Sequence, residues 1–69
     1  MKYYVVVGAS VGDGEDYLPE IINGFYSRKD ALEEKYWCKD THKKLRVIRI
    51  DDTREAMDNL IVDLLRESI

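Results

Sequence analysis

The chain has 69 residues, of which 45% are hydrophobic and 36% are charged, a balance typical of one small folded domain. A domain of this length buries only about 60% of its unfolded surface, which disfavours a deep, multi-part active site. The net charge of −3 disfavours a general nucleic-acid binder, and the single cysteine excludes an internal disulfide. We therefore predict a single α+β domain over residues 1–69, in a reducing cytoplasmic setting, with no targeting signal or membrane span.

The first half of the chain predicts two strands separated by a loop. Residues 2–7 are β-branched and aromatic on both alternating faces, which indicates a central strand. Residues 8–16 hold three glycines and three acids, a composition typical of a loop. Residues 21–26 predict a weaker second strand, and Pro19 and Gly24 indicate that it is an edge strand with a bulge or kink.

A first helix is predicted over residues 28–39, with Ser27 as its N-cap and Asp30 completing a box-like arrangement. At 100° per residue, Trp37 lies on the same side as the acidic Glu33 and points away from the apolar arc. The arc that we predict to face the core consists of Ala31, Leu32, Tyr36 and Cys38.

Residues 45–50 alternate as a strand does, and Asp52 with Glu55 predicts a capping box for a second helix that runs from residue 53 to near the end. The primary apolar stripe of this helix is Ala56, Met57, Leu60, Ile61 and Leu64. A second apolar row consists of Val62, Leu65 and Ile69. The order strand, strand, helix, strand, helix predicts a three-stranded sheet that carries both helices on one face.

Three glycines, Gly8, Gly12 and Gly14, follow the first strand with the spacing G-x-x-x-G-x-G. This run of about ten residues resembles the cofactor fingerprint of short-chain dehydrogenases, which implies dinucleotide binding. Acids and Pro19 stand where the phosphate-binding helix would begin, and the family's Tyr-x-x-x-Lys pattern is absent. We interpret the glycines as a flexible loop and predict no cofactor.

Cys38 and His42 are four residues apart, which would supply half of a zinc site or a thiol beside a base. The chain has no second cysteine or histidine to complete either arrangement. The acids of residues 13–20 do not follow the ligand order of an EF-hand loop. We therefore predict a buried structural thiol at Cys38, no metal, no catalytic residue and no enzymatic activity.

A basic block carries Lys39, Lys43, Lys44, Arg46 and Arg49 within the region of the third strand. With tyrosines from an adjacent strand, such a block could bind single-stranded nucleic acid by stacking and phosphate contacts. Nucleic-acid binding by residues 39–49 is the alternative function. A solvated strand edge that balances the acidic helix is the simpler interpretation of these cations.

Trp37 and the second apolar row of helix two predict contacts outside the domain. An exposed tryptophan is a common anchor of protein interfaces, and an unused apolar row predicts a homodimer or a docked partner. In the opposing interpretation the glycine loop covers Trp37, and Leu65 and Ile69 close the core. Both interpretations remain open at this point.

Three segments, residues 25–34 (FYSRKDALEE), the pair Tyr36-Trp37 and residues 45–50 (LRVIRI), resemble small accessory proteins of bacteriophages, in particular RNA polymerase inhibitors of lytic phages. The resemblance implies a non-enzymatic protein that docks on a larger host protein in the host cytoplasm and blocks or redirects it. The residues that we predict to contact a partner are Trp37, Glu33, Arg46, Arg49, Val62, Leu65 and Ile69.

Overall fold

The computed structural model describes residues 1–10 and 19–67 and confirms the predicted fold class and element order. A short 3₁₀ turn at Cys38–Asp40 follows the first helix. The main elements are β1 (Lys2–Ser10), β2 (Pro19–Phe25), α1 (Arg28–Trp37), β3 (His42–Asp51) and α2 (Arg54–Glu67).

The three strands form one antiparallel sheet in the order β2-β1-β3, so β1 is central as predicted. Val5 lies opposite Gly24 of β2 on one side and opposite Ile48 of β3 on the other. Val5, Val6 and Val7 are almost completely buried, although consecutive side chains of a strand point to opposite faces. Both faces of β1 must therefore be covered.

The helix α2 covers the face of the sheet to which Val5 and Val7 point, which we call the α2 face. Leu60 and Leu64 are buried against these valines, because they lie four residues apart on one side of the helix. The partly buried residues that pack against this cluster are Tyr3, Ile21, Ile48, Ile50 and Met57.

The helix α1 covers the opposite face, to which Tyr4 and Val6 point and which we call the α1 face. Val6 and Ala31 are both fully buried, and α1 contacts all three strands. Within the described residues α1 and α2 do not contact each other. The prediction that both helices lie on one face is therefore wrong, because a central strand that is apolar on both faces needs a helix on each.

The first strand is longer than predicted and includes Gly8. A side chain at Gly8 would place its Cβ 2.7 Å from Cδ2 of Leu45, so this glycine permits close packing inside the sheet. None of the described glycines has a positive φ. The predicted loop is therefore wrong for residues 8–10, and its other residues, with Gly12 and Gly14, lie outside the described residues.

Both edge strands are irregular. The pairing of β2 with β1 shifts register between Val6 and Val7 of β1. This shift leaves Ile22 of β2 without a paired residue and confirms the predicted bulge. In β3 the register shifts near Lys44, which adopts a φ of 54°. Bulges and charged side chains at sheet edges hinder pairing with other strands, and β3 has one such irregularity and several charged side chains.

The second helix begins one residue later than predicted and has a different cap. Its N-cap is Thr53, whose Oγ1 accepts a hydrogen bond of 3.1 Å from the backbone N–H of Ala56. Asp52 instead accepts a hydrogen bond of 2.8 Å from the hydroxyl of Tyr26, which ties the end of β2 to the start of α2. The predicted capping box of Asp52 and Glu55 is therefore wrong.

Candidate functional site

The outer side of α1 carries the most exposed aromatic residues of the described chain. Trp37 is 75% exposed, Tyr36 is 59% exposed and Leu32 is 42% exposed. Trp37 and Tyr36 pack edge to face, with ring centroids 5.6 Å apart and an interplanar angle of 81°. The groove that they border, which we call the α1 surface, is lined by Arg28, Lys29, Leu32, Glu33, Tyr36 and Trp37.

The orientation of α1 explains why these side chains face outward. Ala31 is fully buried and Cys38, one heptad later, is 8% exposed, so both belong to the side that meets the sheet. Leu32 and Tyr36 lie about 100° and about 140° around the helix from Ala31. The predicted core arc is therefore correct for Ala31 and Cys38 and wrong for Leu32 and Tyr36. Ser27 occupies the N-cap, but its side chain makes no capping hydrogen bond.

The C-terminal end of α1 is held by Cys38, which confirms the predicted buried thiol. Burial raises the pKa of this thiol, and a hydrogen bond of 3.5 Å from its Sγ to Oε1 of Glu34 raises it further. His42 contacts Oγ1 of Thr41 at 2.8 Å and Oε1 of Glu20 at 3.0 Å. Among the described residues no group of three or more potential ligands could hold a metal.

A second groove adjoins the α1 surface and has a cationic lining. It is formed by Tyr4, Arg28, Val47 and Arg49, and we call it the arginine groove. Tyr4 and Arg49 are direct neighbours across β1 and β3, whereas Arg28 is the first residue of α1. Because Arg28 lines both grooves, the α1 surface and the arginine groove form one continuous region.

The structure brings together three of the seven predicted contact residues in this region: Glu33, Trp37 and Arg49. Three others lie elsewhere. Arg46 is on the α2 face, where it lies opposite Val7, and the exposed Val62 and Leu65 are on α2. Ile69 lies outside the described residues. Trp37 and the second apolar row therefore belong to two separate surfaces.

Sequence reasoning missed four residues of this region: the exposed Leu32, Tyr36 and Arg28, and the half-buried Tyr4. The position of Ala31 could have indicated the exposure of Leu32 and Tyr36. A small residue at the centre of a helix-sheet contact lets the helix approach the sheet closely, and larger residues on the other sides of the helix then face solvent. The placement of Tyr4 on the α1 face follows from its alternation with Val5, once a helix is expected on each face of the sheet.

The basic block does not form a single cationic face. Arg46 lies on the α2 face and pairs with Glu67 of α2, whereas Arg49 lies on the α1 face. Tyr3 packs edge to face against Tyr26, with ring centroids 5.0 Å apart, and contributes to the core on the α2 side. The cations and tyrosines of the nucleic-acid hypothesis are thus divided between opposite faces of the sheet.

Two ion pairs that involve β3 predict a contribution to stability that depends on pH. The hydrogen bond from Arg46 holds the pKa of Glu67 below its ordinary value, and Lys2, 2.5 Å from Oδ1 of Asp51, lowers the pKa of that carboxyl. A carboxyl whose pKa is lower in the folded state stabilises the fold above its unfolded pKa, about 4, and this contribution is lost as the pH falls through the folded value.

We predict that Arg46→Gln raises the pKa of Glu67 toward its ordinary value, because the charged hydrogen-bond donor is removed. The melting temperature of this variant should fall less than that of the wild type on acidification below about pH 4. Thermal unfolding followed by circular dichroism over this pH range measures the difference. An unchanged pH dependence would show that the ion pair does not form in solution.

Comparisons with known proteins found no match: no protein-family model, curated protein or solved structure matches the chain. Within residues 1–10 and 19–67, neither helix has the length and apolar character needed to cross a membrane.

Proposed function

We propose that this chain is a small non-enzymatic regulator or inhibitor that binds a larger protein through the α1 surface. The observation that carries the proposal is the exposure of Trp37 beside Tyr36 at the end of a helix fixed to the sheet. Tryptophan and tyrosine are enriched among the residues that contribute most to protein binding. The resemblance of residues 25–50 to phage polymerase inhibitors supports a host cytoplasmic protein as the target.

The energetics of the α1 surface favour binding. Burial of an aromatic side chain of this size removes about 150–250 Å² from water, which at about 25 cal/mol per Å² contributes several kcal/mol. Tyr36 restrains Trp37 by ring contact, and the Nζ of Lys39 lies 4.2 Å from the centroid of the Tyr36 ring. Side chains that are restricted by such contacts lose less conformational entropy on binding than free ones, so more of this contribution appears as affinity.

We predict that Trp37→Ala keeps the fold and loses the partner. The fold should survive because the side chain is 75% exposed and makes little contact with the core. Affinity should fall about thirtyfold or more, which corresponds to the loss of about 2 kcal/mol at an interface anchor. The tagged protein is used to capture partners from nuclease-treated bacterial lysate, bound proteins are identified by mass spectrometry, and circular dichroism checks the fold.

Val62→Ala is the matched control, because it shortens an exposed apolar side chain on α2, away from the α1 surface. We expect this variant to capture the same partner in the same amount as the wild type. Capture that is lost in Val62→Ala but kept in Trp37→Ala would assign binding to α2 and contradict the proposal. Recovery of nucleic acid alone, abolished by nuclease, would favour the nucleic-acid hypothesis instead.

A further inference from the structure

We infer that the arginine groove receives a carboxylate side chain of the bound partner, so that the partner segment places an acidic residue beside an apolar one. This inference rests on the proposed function and specifies the chemistry of its partner. The groove has a volume of about 290 Å³, and Tyr4 and Val47 are its half-buried lining residues. Arg28 and Arg49 are exposed and supply the cationic side chains of the lining.

Among the described residues, no Asp or Glu lines the groove that holds these two arginines. In the described part of the chain the side chains of Arg28 and Arg49 form no hydrogen bond and no ion pair, and the charge of Arg49 makes only the smallest contribution to the lowered pKa of Asp51. By contrast, Arg46 and Lys2 each pair with an acid of the same chain. A planar guanidinium binds a carboxylate through two parallel hydrogen bonds, so the groove is complementary to an acidic side chain.

Arg28 lies where the cationic arginine groove meets the apolar α1 surface. Arg28 lines the arginine groove on one side and the α1 surface, with Trp37 and Leu32, on the other. One short segment could therefore place an apolar side chain against the aromatic pair and an acidic side chain between the arginines. Charge complementarity of this kind selects the partner and its orientation on the surface.

A nucleic acid fits this region less well than an acidic peptide. Binding of a nucleic-acid backbone needs cations along an extended track, and here Arg46 lies on the opposite face of the sheet. A local pair of arginines beside apolar residues suits a single carboxylate better than a chain of phosphates.

The test is an NMR titration of the full chain with acetyl-Glu-Glu-Leu-Glu-Glu-amide and with the same peptide carrying Gln in place of Glu. We expect the acidic peptide to shift the side-chain Nε–H signals of Arg28 and Arg49, and the Gln peptide to leave them in place. Arg28→Gln and Arg49→Gln should each weaken binding about tenfold, as expected for the loss of a charge-assisted hydrogen bond. Arg54→Gln, which removes an exposed arginine of α2, should change affinity by less than about twofold.

Three results would overturn the inference. The first is that Arg54→Gln weakens binding as much as the groove variants do, which would indicate a response to net charge alone. The second is that a thymidine oligonucleotide binds more tightly than the acidic peptide. The third is that the arginine signals do not move at millimolar peptide. The last result, combined with loss of the captured partner in Trp37→Ala, would leave the proposed function standing without its acidic contact. Shifted arginine signals with the partner retained in Trp37→Ala would instead contradict the proposed function alone.

Discussion

Leu64→Ala is expected to lower the free energy of unfolding by about 3 kcal/mol, within the range observed for buried leucines. Leu64 is 5% exposed and packs with Leu60 against Val5 and Val7, so its loss leaves a cavity between α2 and the sheet. A chain of 69 residues has a total stability of roughly 3–10 kcal/mol, so the variant should keep roughly 0–7 kcal/mol and unfold at a clearly lower urea concentration than the wild type. Urea denaturation followed by circular dichroism measures this loss.

Ile61→Ala is the control for Leu64→Ala, because it removes the same number of carbon atoms from the same helix. Ile61 is 42% exposed, and alanine is the better helix former, so we expect a loss below about 1 kcal/mol. Equal losses at the two positions would contradict the placement of α2 on the face of Val5 and Val7.

Gly24→Ala is expected to lower the free energy of unfolding by about 1–3 kcal/mol, the usual cost of overpacking. Val5 lies opposite this glycine, and the ring of Tyr3 occupies the space above it, where an added Cβ would overlap the ring. Accommodation of the Cβ would displace Tyr3 from the ring of Tyr26 and from the core. Chemical denaturation measures the loss.

A double-mutant cycle separates this overlap from a general effect of alanine in β2. In the background Tyr3→Ala the ring is absent, so Gly24→Ala should cost little or nothing. The coupling between the two substitutions should therefore be of the same size as the cost of Gly24→Ala alone. Additive effects would show that Tyr3 does not lie over Gly24 in solution.

The sequence predicts the strands and helices because each has a strong local signal. The β-branched run before Gly8 identifies the central strand, and Pro19 with Gly24 identifies β2 as a bulged edge strand. Local signals do not specify tertiary packing. The arrangement of the helices depends on which side of the sheet each connection crosses. The apolar residues on both faces of β1 indicate that both sides are covered, and the burial of Val6 together with Val5 shows it.

Only part of the candidate site could be predicted, because local sequence signals do not specify how α1 packs on the sheet. The position of Trp37 opposite the apolar arc of α1 favours exposure but leaves a covering loop possible, and in the structure the side chain is 75% exposed. The exposure of Tyr36 depends on how the helix rotates around Ala31, which the wheel alone does not specify. Arg28 and Arg49 are distant in the sequence, so their shared groove arises only when α1 packs over β3.

The most direct test of the central claim is ¹⁹F NMR of the full chain labelled with 5-fluorotryptophan. The chain contains one tryptophan, so the spectrum reports Trp37 alone, and an unlabelled partner contributes no signal. In the free protein we predict a large solvent isotope shift between H₂O and D₂O, as expected for an exposed ring. On saturation with the partner captured from lysate, the resonance should move and lose most of this isotope shift. A resonance that is shielded from solvent in the free protein, or that is unchanged in the saturated complex, would contradict the claim that Trp37 on the α1 surface is the anchor of binding.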